Sequence, residues 1–145
     1  MLKNVPACIT PELMKTMMEM GHADEIIFAD GNFPAISVAK KYIRCDGVKI
    51  PELLDAVLKF FPLDRFEEKP VAVMELGAGD PNPPNWPHYM SEVQKYEPRI
   101  TEFEYIERFA FYERAKKAFA VVITGDISRH ANILLKKDLM SEYPE

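Results

Sequence analysis

Cysteine is scarce in this 145-residue chain: Cys8 and Cys45 are the two thiols. Two unclustered cysteines make no disulfide framework, and they are expected to be free and buried in a reducing compartment. There is no Cys-x-x-Cys and no His-Glu-x-x-His spacing, so no protein-bound metal is expected. No apolar run approaches the ~20 residues that cross a bilayer. The opening MLKNVPACIT lacks the apolar region of a secretory signal. A cytoplasmic protein without a membrane partner is therefore expected. Basic charge is short as well. Lys and Arg number 18 against 23 Asp and Glu, a formal charge of -5, and no basic stripe stands out, which argues against a nucleic-acid partner. Signatures of nucleophilic and nucleotide chemistry are missing: no Gly-x-Ser-x-Gly, no Walker A loop, no Gly-x-Gly-x-x-Gly. Gly77-Ala78-Gly79 reads as a turn rather than a phosphate cradle.

What is present is an ordinary globular balance, with 48% hydrophobic and 28% charged residues. That is enough apolar surface to offset chain entropy, and residues 1–145 read as a single domain. Thr10 is an N-cap followed by Pro11 and Glu12, opening a helix whose apolar side carries Leu13, Met14, Met17, Met18 and Met20 until Gly21 stops it. Residues 25–29 read as a buried strand ending in the turn Asp30-Gly31-Asn32. A loop or short helix starts at 33–35, a short strand covers 41–45, and Pro51 opens a helix that Pro62 ends. Residues 70–76 (PVAVMEL) form a second strand. The Pro-rich stretch 80–87 reads as a surface loop, and 89–96 as helix. Then come strand 103–106, helix 109–117, strand 118–124, a Gly125-Asp126 turn, strand 133–135 and a polar, fraying tail over 140–145. Helices and strands alternate, so the expected class is α/β: one layered domain with a central sheet covered by helices on both faces. A chain this short is expected to be oligomeric, with a sheet edge or helix face covered by another subunit.

Several polar residues sit beside strand ends, where α/β folds place their ligands. His22 follows the helix-stopping Gly21; it either satisfies a helix-end carbonyl or exchanges protons near neutral pH. Asp30 either shapes an Asx turn or faces a ligand. Arg108 either presents its guanidinium to hydroxyls or pairs with Glu104 or Glu107. Tyr112 is either a site residue or an ordinary core or interface tyrosine. Asn132 either binds hydroxyls, with a donor and an acceptor on one side chain, or shapes a turn. His88, in the Pro-rich stretch, reads as solvated. Spacing alone points to acid/base or hydroxyl-binding chemistry and no further.

MGHADEIIFADGNFP (20–34), IRCDG (43–47), FPLD (61–64), ERFAFYERAKKAFAVVITG (107–125) and HANILLKK (130–137) occur in order across nearly the whole chain. Together they resemble the fucose mutarotase and D-ribose pyranase family. The resemblance implies a layered α/β oligomer, with bacterial members in rings of ten and animal members as dimers. It also implies a site near the interface between subunits and no cofactor. The stretch RFAFYERA carries Arg108 where ribose pyranases carry His, which favours the fucose branch. By this match His22 is the acid/base, and Asp30, Asp64, Arg108, Tyr112, His130 and Asn132 are sugar-contacting candidates. Phe33 or Phe111 would provide an apolar wall for the methyl group of a 6-deoxy sugar. One position departs from the family pattern: His130 stands where members usually have Tyr. The expected activity is interconversion of the α and β anomers of a free pyranose such as L-fucose. The rivals are D-ribose pyranase activity and a non-catalytic monosaccharide-binding or transport-accessory role.

Overall fold

Every strand of the computed structural model joins one six-stranded sheet, and residues 1–81, 83 and 85–142 are described. In chain order the elements are α1 (Pro11–Glu19), β1 (Glu25–Ala29), α2 (Ala35–Val38), β2 (Tyr42–Cys45), α3 (Ile50–Leu58), β3 (Val71–Met74), α4 (Asn85–Tyr96), β4 (Glu104–Ile106), α5 (Arg108–Lys117), β5 (Ala120–Thr124) and β6 (Ile133–Lys136). The strand order is β2-β5-β1-β6-β3-β4. All strands run parallel except β6, which pairs antiparallel with β1 and β3.

The strands alternate their side chains between two apolar layers, as the pleat requires. Ile26, Phe28, Ile43, Val71, Val73, Val122, Ile133 and Leu135 point to one face and meet α1, α3 and α4 through residues such as Leu13, Leu53, Leu54, Val57, Tyr89 and Val93. Ile27, Ala29, Ala72, Val121, Ile123 and Leu134 point to the other and meet Ala35 of α2 and Phe111 and Ala115 of α5. Both faces of the central strands are dry. This explains why β1, β3 and β5 read as continuous apolar runs rather than alternating ones.

Local chemistry sets most boundaries. The Thr10 hydroxyl accepts the Leu13 N–H at 3.1 Å, and Pro11 begins α1. Gly21 ends that helix without a left-handed cap. The positive φ falls on Ala23 (72°) instead, and the Gly21 N–H donates to Asp24 at 2.7 Å. α4 begins at Asn85, earlier than the expected 89, because Pro87 falls in its first turn, where no intrahelical N–H is needed. The expected loop over 80–87 and tail over 140–145 include positions 82, 84 and 143–145, which lie outside the described residues. β5 starts at Ala120 rather than 118, since the Ala118 N–H still closes α5 on the Arg114 carbonyl. Both thiols are free; Cys45 is buried, whereas Cys8, expected to be buried, is half-exposed. Among the described residues no helix is long and apolar enough to cross a membrane.

Candidate functional site

The parallel strands end together, and their carboxyl edge gathers most of the polar residues singled out above. Asp30 follows β1, Met74 closes β3, Arg108 and Tyr112 lie at the start of α5 just after β4, and His130 and Asn132 precede β6, whose reversed direction brings its start to the same edge. These residues line one cavity of about 320 Å³, together with Asn32, Phe33, Pro34, Ile127, Ser128 and Arg129. A crevice beyond the carboxyl ends of strands is where open α/β sheets bind small ligands, and this volume lies at the lower end of the roughly 300–1,000 Å³ of such sites. Two larger hollows, about 770 and 840 Å³, are mainly apolar and lie elsewhere: one between the N-terminal segment and α1, one beside Trp86 and Tyr105.

The cavity wall is fixed by bonds between distant segments. The Asp30 backbone N–H donates to Asn132 Oδ1 at 2.9 Å. Its carboxylate accepts the Asn32 N–H at 2.8 Å. Asp30 thus makes the Asx turn and also lines the cavity. It is 7% exposed, and burial pushes its carboxyl above the ordinary carboxylate value, opposed by the Asn32 and Phe33 N–H groups. Asp126 ties the floor together. Its carbonyl accepts the Gly31 N–H, and its carboxylate takes the N–H groups of Ser128 and of Ile50, at the start of α3. Tyr89 of α4 is fully buried and donates to the Ala131 carbonyl at 2.7 Å, holding the segment before β6.

Arg108 and Tyr112 are one helical turn apart and share a face, while Phe111 and Ala115 point into the core. Arg108 Nε donates to the Tyr112 hydroxyl at 3.2 Å. It pairs with neither expected glutamate. Glu107 caps α5, accepting from Phe109 and Ala110, bonds that hold its carboxyl below the usual range. Glu104 is taken with Glu25 by Arg114. Phe33 lines the cavity, whereas Phe111 is fully buried behind it, its ring 6.1 Å away, so of the two candidate apolar walls only Phe33 faces the space.

His22 and Asp64 are elsewhere. They sit at the opposite edge of the sheet, separated from Asp30 by the length of β1, roughly 15–20 Å. His22 Nε2 lies 3.2 Å from Asp64 Oδ1 and 3.9 Å from Asp138 Oδ1, and its ring packs at 5.3 Å against the exposed Phe66. Asp64 and Asp138 are buried. Asp138 also forms an ion pair with Arg65, whose Nε lies 3.2 Å from Oδ2. Among the described residues these three side chains bring metal-ligand atoms within 4.8 Å of one another, but Arg65 already supplies cationic charge to Asp138. Asp138 and Asp126 were missed by sequence reasoning. Each follows a strand end, the signal that picked out Asp30. His88 is exposed and pairs with Glu92 in its own helix at 3.4 Å.

Residues 3–140 match the RbsD / FucU transport protein family. The chain is 48% identical over 146 residues to a fucose mutarotase of Danio rerio, spanning 96% of this chain and 94% of that one. It is 47% identical over 150 residues to the human fucose mutarotase, spanning 99% and 97%. The crystal structure of a Streptococcus pneumoniae fucose mutarotase in complex with L-fucose superposes with a TM-score of 0.89 at 48% identity, covering 97% of this chain and all of that one.

Proposed function

The chain belongs to the RbsD / FucU transport protein family, and from that premise we propose that it interconverts the α and β anomers of L-fucose in the cytoplasm. The observation that carries this reading is the cavity at the carboxyl edge. It brings a carboxylate, a guanidinium, a phenol and a carboxamide around a space of monosaccharide scale, with Phe33 as an apolar wall. The near full-length likeness to fucose mutarotases supports the choice of sugar. Two free thiols fit a reducing compartment.

Mutarotation moves two protons. A base takes the anomeric hydroxyl proton, the C1–O5 bond breaks as C1=O1 forms, and an acid protonates O5. Rotation about C1–C2 and closure on the other face reverse these transfers. Asp30, Arg108, Tyr112 and Asn132 hold hydroxyls, and His22 transfers protons. A carboxylate only accepts hydrogen bonds. Asp64 therefore fixes the proton on Nε2 of His22 and leaves Nδ1 as the working nitrogen.

His22 reaches the sugar from a neighbouring copy of the chain. Within one copy it lies at the wrong end of β1. Phe66, packed on the His22 ring, is 67% exposed, and Phe109 and Ile127 near the cavity are 67% and 80% exposed. Apolar side chains this bare at both ends favour contact with another surface.

Saturation transfer between the anomeric proton signals of L-fucose, with D-ribose alongside, tests the reading. Protein-dependent exchange in fucose is expected, and His22→Ala should slow it about 100-fold or more without loss of fold. Exchange confined to ribose would transfer the chain to the pyranase activity. Near-normal exchange in folded His22→Ala would remove His22 from the chemistry.

A further inference from the structure

The turn Gly77-Ala78-Gly79-Asp80 has no part in the scheme above, and neither does the departure from the family pattern at His130. They meet in space. His130 Nε2 lies 3.3 Å from Asp80 Oδ2. The same oxygen accepts the Gly77 N–H at 3.0 Å, so the turn holds Asp80 before Asp80 holds His130. The turn is built for that closeness: a Cβ on Gly77 would come 2.9 Å from Asp80 Oδ2, and Gly79 has φ +84°.

His130 is itself fixed from both sides. Its φ is +56°, a region a side-chain-bearing residue rarely adopts. The next two residues are anchored, Ala131 by Tyr89 and Asn132 by the Asp30 N–H. The imidazole lines the sugar cavity and also an adjoining hollow of about 210 Å³ that contains Asp80. The charged groups facing these two spaces are Asp30 from the β1 turn, Glu75 and Asp80 from the segment after β3, Glu107 and Arg108 from the start of α5, and Arg129 beside His130.

Resting on the mutarotase reading, we infer that His130 is a second proton-transfer residue of the sugar site and that Asp80 is its positioning residue. Asp80 Oδ2 lies on the Nε2 side of the ring, 3.3 Å away, so this carboxylate favours hydrogen on Nε2 and leaves Nδ1 for the sugar. In ring opening, His130 Nδ1 takes the O1 proton as the C1–O5 electron pair moves to O5, and the His22 imidazolium supplies the proton that O5 needs. One proton leaves the sugar and one arrives. The open chain is neutral, and closure returns both protons. His22 faces two carboxylates, Asp64 and Asp138, whereas His130 faces one, Asp80, with Arg108 lining the same spaces.

The test combines nitrogen-15 spectroscopy of the histidine rings with fucose exchange measured against pH, in wild type, His130→Phe and Asp80→Asn. Wild-type His130 is expected as the Nε2–H tautomer, with that preference lost in Asp80→Asn, because a carboxamide donates as well as accepts. His130→Phe should slow exchange at saturating fucose about 100-fold, and Asp80→Asn about tenfold, each with little change in the half-saturating fucose concentration. His130→Phe should also lose one limb of the pH profile. The inference is overturned by an unchanged tautomer in Asp80→Asn, by a loss confined to fucose affinity, or by a His130→Phe profile that superposes on wild type. If wild type exchanges no fucose, it is the mutarotase reading that fails, and the second-proton role fails with it; the tautomer then decides only whether Asp80 positions the imidazole.

Discussion

At the end of β1, burial works against the charge Asp30 carries at neutral pH. Its carboxyl is raised above the ordinary 3.8 by desolvation, so folding favours the protonated form relative to the unfolded chain. Ionised Asp30 therefore costs stability at pH 7, and that cost disappears as pH falls through the raised folded value. Asp30→Asn keeps an oxygen for the Asn32 N–H and removes the charge. It should be at least as stable as wild type at pH 7 by thermal denaturation, and its advantage should shrink as the solution is acidified towards pH 3, while fucose exchange is lost. A variant clearly less stable at pH 7 would show that the carboxylate is held more favourably than its burial implies. Asp30 was legible in the sequence because it ends an apolar run and begins a turn. Asp138 also follows a strand end, but neither it nor Asp80 was singled out. Their roles come from contacts with His22 and His130 that only folding creates. Arg108 was found, but its partner was not, because Arg114 and the helix cap claim the two glutamates nearest in sequence.

At the scale of elements, periodicity and caps located all six strands and four of the five helices, and they left 33–35 open between a loop and the short α2. They carried no information on strand order. Nothing local distinguishes β6, which runs antiparallel, from its parallel neighbours, yet that reversal is what brings Asn132 and His130 to the carboxyl edge. The junction after β5 shows how tightly two elements are joined there. The Gly125 N–H donates to the Val48 carbonyl at 2.9 Å, and a Cβ on Gly125 would lie 2.1 Å from the Asp46 backbone oxygen. No rotamer relieves a clash with backbone. Gly125→Ala should cost about 3 kcal/mol or more by denaturant unfolding and should weaken fucose binding, since Asp126 and Ser128 follow directly. A loss under about 1 kcal/mol would mean the β2 turn yields easily.

For the whole molecule, the separation of His22 from the cavity is the decisive fact. If each site joins the cavity of one copy to His22 of another, two inactive variants complement each other. Co-expressed in equal amounts, His22→Ala and Asp30→Asn should form intact sites at about a quarter of positions through random pairing, and fucose exchange should return to about that fraction of wild type. No recovery in a confirmed mixed assembly would place the whole reaction within one copy. The expectation of a partner came from the chain's length and from its family resemblance. Which residues would be handed across was not, because that depends on β1 having one candidate at each end.

If sites are shared in this way, a solitary copy would hold only half of two different sites. It would donate from one edge of the sheet and receive at the other. Turnover per chain would then follow the degree of assembly: dilution would silence the chemistry while every hydrogen bond within the subunit stayed intact.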